Sequence, residues 1–268
     1  MANSGRIITL LTDFGLRDHF VASMKGVMLG LNPDISLVDI THLVPPQDIH
    51  TGAFILGQAY ESFPAGTIHL AVVDPGVGTS RKALAATAGG RFFVAPDNGL
   101  LSYVQKNSDD FHAYEVTSEH YFHKPVSNTF HGRDVFAPIA AWLSRDIPLP
   151  QLGEELEYIV QTHIPDPKRV KEGLIQADIL AVDHFGNLVT NLTPGHLPQF
   201  NPGGQLPFKV LAGKQEITSY YQSYGEAPRG EIFLVTGSSG YIEISMNGAS
   251  AQATLALKPA NPVGVVLL

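Results

Sequence analysis

The chain has no cysteine and only one tryptophan among 268 residues. Without cysteine it can form no disulfide, thiolate nucleophile or thiolate metal ligand. No segment reaches about 18 consecutive apolar residues, and the first residues lack the cationic start of a signal peptide. No basic run occurs, and 25 acidic against 17 basic side chains give a formal net charge of -8. Such a field would repel nucleic acid and anionic membranes. We therefore expect a cytoplasmic protein that binds a small molecule, with no nucleic-acid or membrane partner.

The first part of the chain alternates apolar runs with amphipathic stretches. RIITLLTDFG, ISLVDITHL and TIHLAVVD are typical of buried strands, and helical spacing over 17–31 and 49–63 predicts two helices between them. ALAATA, RFFVAP and HAYEVTS add strands, with helices near NGLLSYV and within GRDVFAPIAAWLSRD, where Pro138 blurs the helix start. This alternation predicts an α/β domain over 1–165, with a Rossmann-like, mostly parallel sheet covered by helices.

The last third of the chain has a different character. Residues 147–173 carry four prolines and little periodicity, so we interpret them as a linker. Beyond Gly173, pairs such as LIQADILAVD with NLVTNL, and EIFLVTG with YIEISM, flank short turns. The pattern is all-strand and predicts a small antiparallel β-barrel domain over 173–268.

Three aspartates lie at or near the ends of the predicted strands, namely Asp13, Asp39 and Asp74. Open α/β sheets bind their ligands at the carboxyl edge of the strands, which favours a functional role. Aspartate is also common in turns because it bonds to nearby backbone amides. For Asp39, inside LVDITHL, we prefer that structural interpretation.

Several common motifs are missing. GVGTSRK lacks the third glycine of a dinucleotide fingerprint and the spacing of a P-loop. His120, His123 and His131 do not form helix-type pairs with a carboxylate partner, and no Gly-x-Ser-x-Gly elbow occurs. We therefore predict neither a metal site nor a cofactor.

Five segments occur in a specific order: TDFGLRDHF, VVDPGVGTSRK, NTFHGRD, DHFGN and TGSSGYIEISMNGAS. Together they resemble the S-adenosyl-L-methionine hydroxide adenosyltransferases, also called S-adenosyl-L-methionine hydrolases, which are relatives of fluorinating and chlorinating adenosyl enzymes. The resemblance runs from Thr12 to about Ala249. It implies hydrolysis of S-adenosyl-L-methionine to adenosine and L-methionine, with water or hydroxide displacing the sulfonium at ribose C5′.

The resemblance identifies Asp74, Arg81 and His131 as an Asp-Arg-His catalytic triad. A guanidinium can orient the carboxylate beside it, and that carboxylate can then hold a water molecule. An imidazole, with an ordinary pKa near about 6.5, can accept or relay a proton. The residue that acts as the base stays open at this point.

The resemblance also implies substrate contacts. The matching positions are Asp13 for the ribose hydroxyls, Asp18 and Asp183 for the methionine ammonium, Ser238 for the amino-acid end, Asn187 for the adenine edge, and Phe185 and Tyr224 for the base. Asp74 stands where the halogenating relatives carry a neutral residue, and Gly132 stands where the fluorinating enzymes carry a serine. An anionic Asp74 would repel halide. The family pattern further implies a homotrimer whose sites lie between subunits.

Two alternatives remain from the residues alone. A metal-dependent nucleoside or phosphate hydrolase would use Asp13, Asp18 and Asp74 as oxygen ligands for magnesium or calcium. A non-catalytic sensor would bind an adenosyl ligand without turning it over.

Overall fold

The computed structural model describes residues 6–197 and 207–267. The chain divides into two compact units, Met1–Ile164 and Pro165–Leu268. The outermost residues of our two domain ranges, 1–5 and 268, lie outside the described residues. Among the helices of the described part, none has both the length and the apolar character that a membrane crossing requires.

The first unit is a mixed sheet with helices. Its strands follow the order β2-β1-β3-β5-β4-β6-β7; β1, β2, β3 and β5 run parallel, and β4, β6 and β7 are antiparallel to their neighbours. The strands are β1 Ile7–Thr12, β2 Ser36–Thr41, β3 Ile68–Val72, β4 Ala83–Ala88, β5 Arg91–Pro96, β6 His112–Glu115 and β7 Glu155–Leu156. The helices are α1 Phe20–Leu31, α2 Ile49–Ala59, α3 Ser102–Lys106 and α4 Ala137–Leu143. The α/β prediction is confirmed.

Burial explains why the central strands form. All five residues of β3 are buried, and β1 is buried from Ile8 onward, as expected for strands covered on both faces. Helix α2 begins where the side chain of Asp48 accepts a hydrogen bond from the backbone amide of Thr51, a typical N-cap. The buried strands and this capped helix together hold in place the loops that carry the candidate residues.

The helix with the proline has an unusual start. Residues Gly132–Phe136 form a π-helical turn that leads directly into α4, and Pro138 lies in the first turn of α4. Proline is tolerated there because the first amides of a helix have no intrahelical acceptor. Single π-helical turns are frequent at functional sites, and this one begins immediately after His131.

The second unit is a nearly closed antiparallel, barrel-like sheet. Its strand order is β12-β11-β15-β9-β10-β14-β13, with β8 paired to β9. The strands are β8 Lys168–Lys171, β9 Leu174–Val182, β10 Leu188–Thr190, β11 Phe208–Ala212, β12 Gln215–Ile217, β13 Ile232–Thr236, β14 Ile242–Met246 and β15 Pro262–Leu267. Alternate apolar residues of these strands fill its core, for example Ile175, Ala177 and Ile179 of β9.

Two local predictions were wrong. The segment interpreted as a linker carries strand β7, which extends the first sheet, and strand β8, which pairs with β9. Strand β7 is too short and strand β8 is too polar to show an apolar alternation. The four prolines were therefore the clearest signal in this segment, and they favoured a linker. The second unit is also not entirely strand, because a helix α5 spans Ala251–Leu255 and is capped by the side chain of Ser250.

Candidate functional site

The turn after β3 brings two opposite charges together. The amide of Val77 donates to the Asp74 carbonyl, and the Thr79 hydroxyl donates to the Gly76 carbonyl, so the backbone closes tightly between Asp74 and Arg81. Gly78 has a φ of +75°, and a Cβ there would lie 2.3 Å from the carbonyl oxygen of Asn128. The glycine therefore lets this turn pack directly on the segment that leads to His131.

Arg81 binds both other members of the predicted triad. Its Nε and Nη2 donate to the Asp74 carboxylate at 2.6 to 3.0 Å, a two-pronged pairing. Its Nη2 also lies 2.9 Å from Nδ1 of His131, and its guanidinium lies 4.9 Å from the ring centre of Phe136. The Asp74 and Arg81 side chains are 5% and 11% exposed. The structure thus brings Asp74, Arg81 and His131 into one cluster, which we call the catalytic cluster.

The protonation of His131 follows from its partner. A guanidinium donates hydrogen bonds and never accepts them, so Nδ1 of His131 is the acceptor and the neutral ring carries its proton on Nε2. Burial, followed by the positive charge of Arg81, lowers the pKa of His131, and the negative charges of Asp74 and Asp134 offset only part of that effect. His131 is therefore held neutral, with an N–H to donate.

The other predicted acids of this unit differ in their surroundings. Asp13 follows β1 directly, is half-buried, and accepts a hydrogen bond of 2.8 Å from the backbone amide of Gln47. Asp18 is exposed and is bonded to none of the described residues. Asp39 pairs with Lys25 at 2.7 Å, which agrees with the structural interpretation preferred for it. Within the described ranges, no three His, Asp or Glu side chains are grouped so as to hold a metal ion.

A cavity of about 760 Å³ in the second unit is lined by all five of the substrate residues predicted there. The cavity is lined by the β9–β10 turn, the loop before β13, and both ends of β14. The predicted residues on its wall are Asp183, Phe185, Asn187, Tyr224 and Ser238. We call this space the C-terminal cavity.

Asp183 and Asn187 shape the turn that borders the cavity. Oδ1 of Asp183 accepts from the amides of Phe185 and Asn187, and its Oδ2 accepts from Nδ2 of Asn187 at 2.7 Å. Gly186 has a φ of +84°, and a Cβ there would lie 2.1 Å from Oγ of Ser250. Asn187 is 6% exposed, and its amide oxygen and second N–H stay free for a ligand. Phe185, 76% exposed, presents an open aromatic face.

Sequence reasoning missed Glu243, which also lines the cavity. The residue is 6% exposed, and its carboxylate accepts a 2.7 Å hydrogen bond from the hydroxyl of Tyr224. Burial raises its pKa, as does the charge of Asp183, while the Tyr224 hydrogen bond opposes the rise. The available signal was an acid in the middle of the strand YIEISM, where its neighbours are apolar.

Known proteins resemble this chain over nearly its whole length. A (R)-S-adenosyl-L-methionine hydrolase of Salinispora tropica is 38% identical over 96% of this chain and 97% of its own. A fluorinase of Nocardia brasiliensis is 29% identical over 94% of each chain. A crystal structure of an uncharacterized conserved protein from Thermotoga maritima, 33% identical, superposes with a TM-score of 0.90 over 97% of this chain and 99% of that one.

Two family models cover most of the sequence. The N-terminal domain model of the SAM hydroxide adenosyltransferases matches residues 8–153, and the C-terminal domain model matches residues 177–264. The first range includes the catalytic cluster, and the second includes the residues of the C-terminal cavity. The chain therefore belongs to the SAM hydroxide adenosyltransferase family.

Proposed function

We propose that this protein hydrolyses S-adenosyl-L-methionine to adenosine and L-methionine. The observation that carries the proposal is the Arg81 guanidinium bonded at once to Asp74 and His131. The cluster presents a carboxylate that accepts hydrogen bonds beside an imidazole N–H that donates one, and a water molecule offers both complementary groups. The greater identity to the hydrolase than to the fluorinase supports the same conclusion.

In this mechanism the water oxygen forms a bond to C5′ of the ribose while the C5′–S bond breaks. The electron pair of that bond goes to sulfur, which leaves as the neutral thioether of methionine. The sulfonium needs no acid to leave, so the protein's task is to align oxygen, carbon and sulfur. One water proton must be released, and Asp74 is the anion of the cluster that can accept it.

His131 has a different role in this scheme from that of a general base. Its Nδ1 is occupied by Arg81 and its Nε2 carries the ring proton, so neither nitrogen is ready to accept. We assign it to hold the water oxygen by donation from Nε2. The low pKa that burial and Arg81 produce keeps the ring neutral in this orientation.

The substrate is proposed to bind through the remaining predicted residues. Asp13 would accept from the ribose hydroxyls, with Asp18 and Asp183 close to the methionine ammonium and Ser238 at its amino-acid end. Asn187 would bind the adenine edge with its free amide groups, and Phe185 and Tyr224 would pack against the base. Every one of these groups except Asp13 and Asp18 lies on the wall of the C-terminal cavity.

We also propose that the protein assembles as a homotrimer, with each site built from neighbouring subunits, and that it acts in the cytoplasm. The family resemblance supports the trimer, and the absence of cysteine is compatible with a reducing compartment. Light scattering on the purified protein measures the assembly: a mass of three chains of 28.9 kDa is expected, and a monomer would contradict the trimer.

The reaction is tested with purified protein, S-adenosyl-L-methionine and a chelator in oxygen-18 water. Adenosine carrying the heavy oxygen is expected, because the new C5′–O bond takes its oxygen from solvent. Turnover that stops with chelator would favour a metal-dependent hydrolase. An intact substrate together with a raised melting temperature would identify a sensor instead.

A further inference from the structure

Glu243 is a buried acid in a strand that supplies it with no charge partner. It lies in β14, opposite Val189 of β10 and Val235 of β13. At 6% exposure its carboxyl group is largely removed from water, which is costly unless a donor compensates. Its position therefore calls for a specific partner, and that partner comes from outside the sheet.

The partner is the hydroxyl of Tyr224, 2.7 Å from Oε2 of Glu243. Gly237 makes room for the carboxyl group, because a Cβ at Gly237 would lie 1.9 Å from Oε1. Burial and the neighbouring Glu243 raise the pKa of Tyr224, so the phenol keeps its proton and remains a donor. The charged group that faces this pair is Asp183, whose charge raises the pKa of Glu243 and discourages its ionisation.

Tyr224 needs an anchor because its backbone is in a surface turn. The residue is 45% exposed, and its turn is held locally by Glu226, which accepts from the amide of Gln222 and the hydroxyl of Ser223. Neither contact touches the Tyr224 ring. An aromatic side chain that is free to rotate loses entropy when a ligand orders it, and a tether to the strand removes much of that cost beforehand.

We propose that Glu243 is a positioning residue that fixes the ring of Tyr224 as a wall of the C-terminal cavity for the planar base of the substrate. The proposal rests on the proposed function, in which Tyr224 packs against adenine. It differs from a charge-recognition role because the tether requires only an acceptor oxygen at residue 243. A neutral amide can supply that oxygen, whereas recognition of a cation would require the carboxylate.

The test compares Glu243→Gln, Glu243→Ala and Tyr224→Phe in the full chain. Binding of adenosine is measured by calorimetry, and kcat and KM are measured with S-adenosyl-L-methionine. Glu243→Gln should keep the wild-type dissociation constant within about twofold, because the amide oxygen still accepts from the phenol. Glu243→Ala and Tyr224→Phe should each weaken adenosine binding about 3- to 10-fold, the range of one net hydrogen bond, and should raise KM by a larger factor than they lower kcat.

The double variant Glu243→Ala/Tyr224→Phe decides whether the two residues act through one contact. Its loss of affinity should equal that of either single variant, since both remove the same tether. Additive losses, or a Glu243→Gln variant as weak as Glu243→Ala, would overturn the proposal. If Glu243→Ala does not fold, Tyr224→Phe and Glu243→Gln still give opposite expected results. Failure of the proposed function would show separately, as absence of labelled adenosine from the wild-type protein.

Discussion

The catalytic cluster and the C-terminal cavity are organised in opposite ways. In the cluster, the Arg81 side chain bonds to both Asp74 and His131, and the Asp74 and Arg81 side chains are almost fully buried. In the cavity, Asp183 spends most of its bonding capacity on its own turn, and the open groups are the Asn187 amide, the Ser238 hydroxyl and the Phe185 ring. The cluster is arranged before a ligand arrives, whereas the cavity leaves its groups available.

This contrast predicts that damage to the cluster lowers kcat and that damage to the cavity raises KM. A group that acts on the attacking water contributes to the transition state more than to substrate binding. A group on the cavity wall stabilises the bound substrate and the transition state about equally. Variants in each region, compared by their kcat and KM, test this separation.

Asp74→Ala should have the largest effect. In the proposed mechanism it removes the anion that holds the water and accepts its proton, so kcat should fall by about 100- to 10,000-fold, the usual range for a positioned proton acceptor. Adenosine binding, measured by calorimetry, should change little because the proposed contacts to the base lie in the C-terminal cavity. Steady-state kinetics with S-adenosyl-L-methionine measures the loss.

Asp39→Ala is the matched control for Asp74→Ala. Asp39 lies in strand β2 of the same sheet, but it is partly exposed and pairs with Lys25 and His42 outside the cluster. Its removal should change kcat by less than about twofold, since exposed ion pairs contribute little. Equal losses in the two variants, or undiminished turnover in Asp74→Ala, would contradict the assignment of Asp74.

Each region has one glycine at which an added Cβ would collide with a neighbouring segment. Gly78→Ala would place a Cβ 2.3 Å from the Asn128 carbonyl, and Gly186→Ala would place one 2.1 Å from Oγ of Ser250, both at positive φ. Each variant should lose about 1 to 3 kcal/mol of unfolding free energy, measured by denaturant titration. Gly78→Ala should mainly lower kcat by displacing His131 from Arg81, and Gly186→Ala should mainly raise KM by reshaping the turn at the cavity.

Gly66→Ala and Gly230→Ala are the matched controls for backbone strain. Both glycines have positive φ, +82° and +84°, but an added Cβ meets nothing within 4 Å. These two variants should lose roughly 1 kcal/mol of unfolding free energy, because alanine disfavours a positive φ, and their kcat and KM should be unaltered. If kcat or KM changed as much in these controls as in Gly78→Ala or Gly186→Ala, the close contacts of the added Cβ would not be the cause of the kinetic changes.

The elements of the fold that depend on local sequence pattern were predicted correctly. Buried strands such as β1 and β3 are continuous apolar runs. Local pattern alone did not connect Arg81 with His131; the family resemblance carried by VVDPGVGTSRK and NTFHGRD implied that grouping. Features that depend on tertiary contacts could not be predicted from local sequence pattern. The strand β7 has two residues and exists only because β6 lies beside it. Glu243 has a partner in a distant loop, and no spacing rule connects it to Tyr224.

The smallest predicted effect concerns the charge state of His131. Its pKa is lowered below the ordinary value of 6.5, so the folded protein binds this proton less readily than the unfolded chain does. Neutral His131 therefore persists as the pH falls through about 6.5, and its contribution to activity and stability is lost only at lower pH. NMR of protein labelled with nitrogen-15 histidine should show, for the signal absent from His131→Gln, a proton on Nε2 and a depressed pKa. Asp74→Asn should depress that pKa further, because the Asp74 anion raises it in the native cluster. A proton on Nδ1, or a pKa at or above 6.5, would mean that Arg81 does not donate to His131, and the ring would then be free to serve as the base.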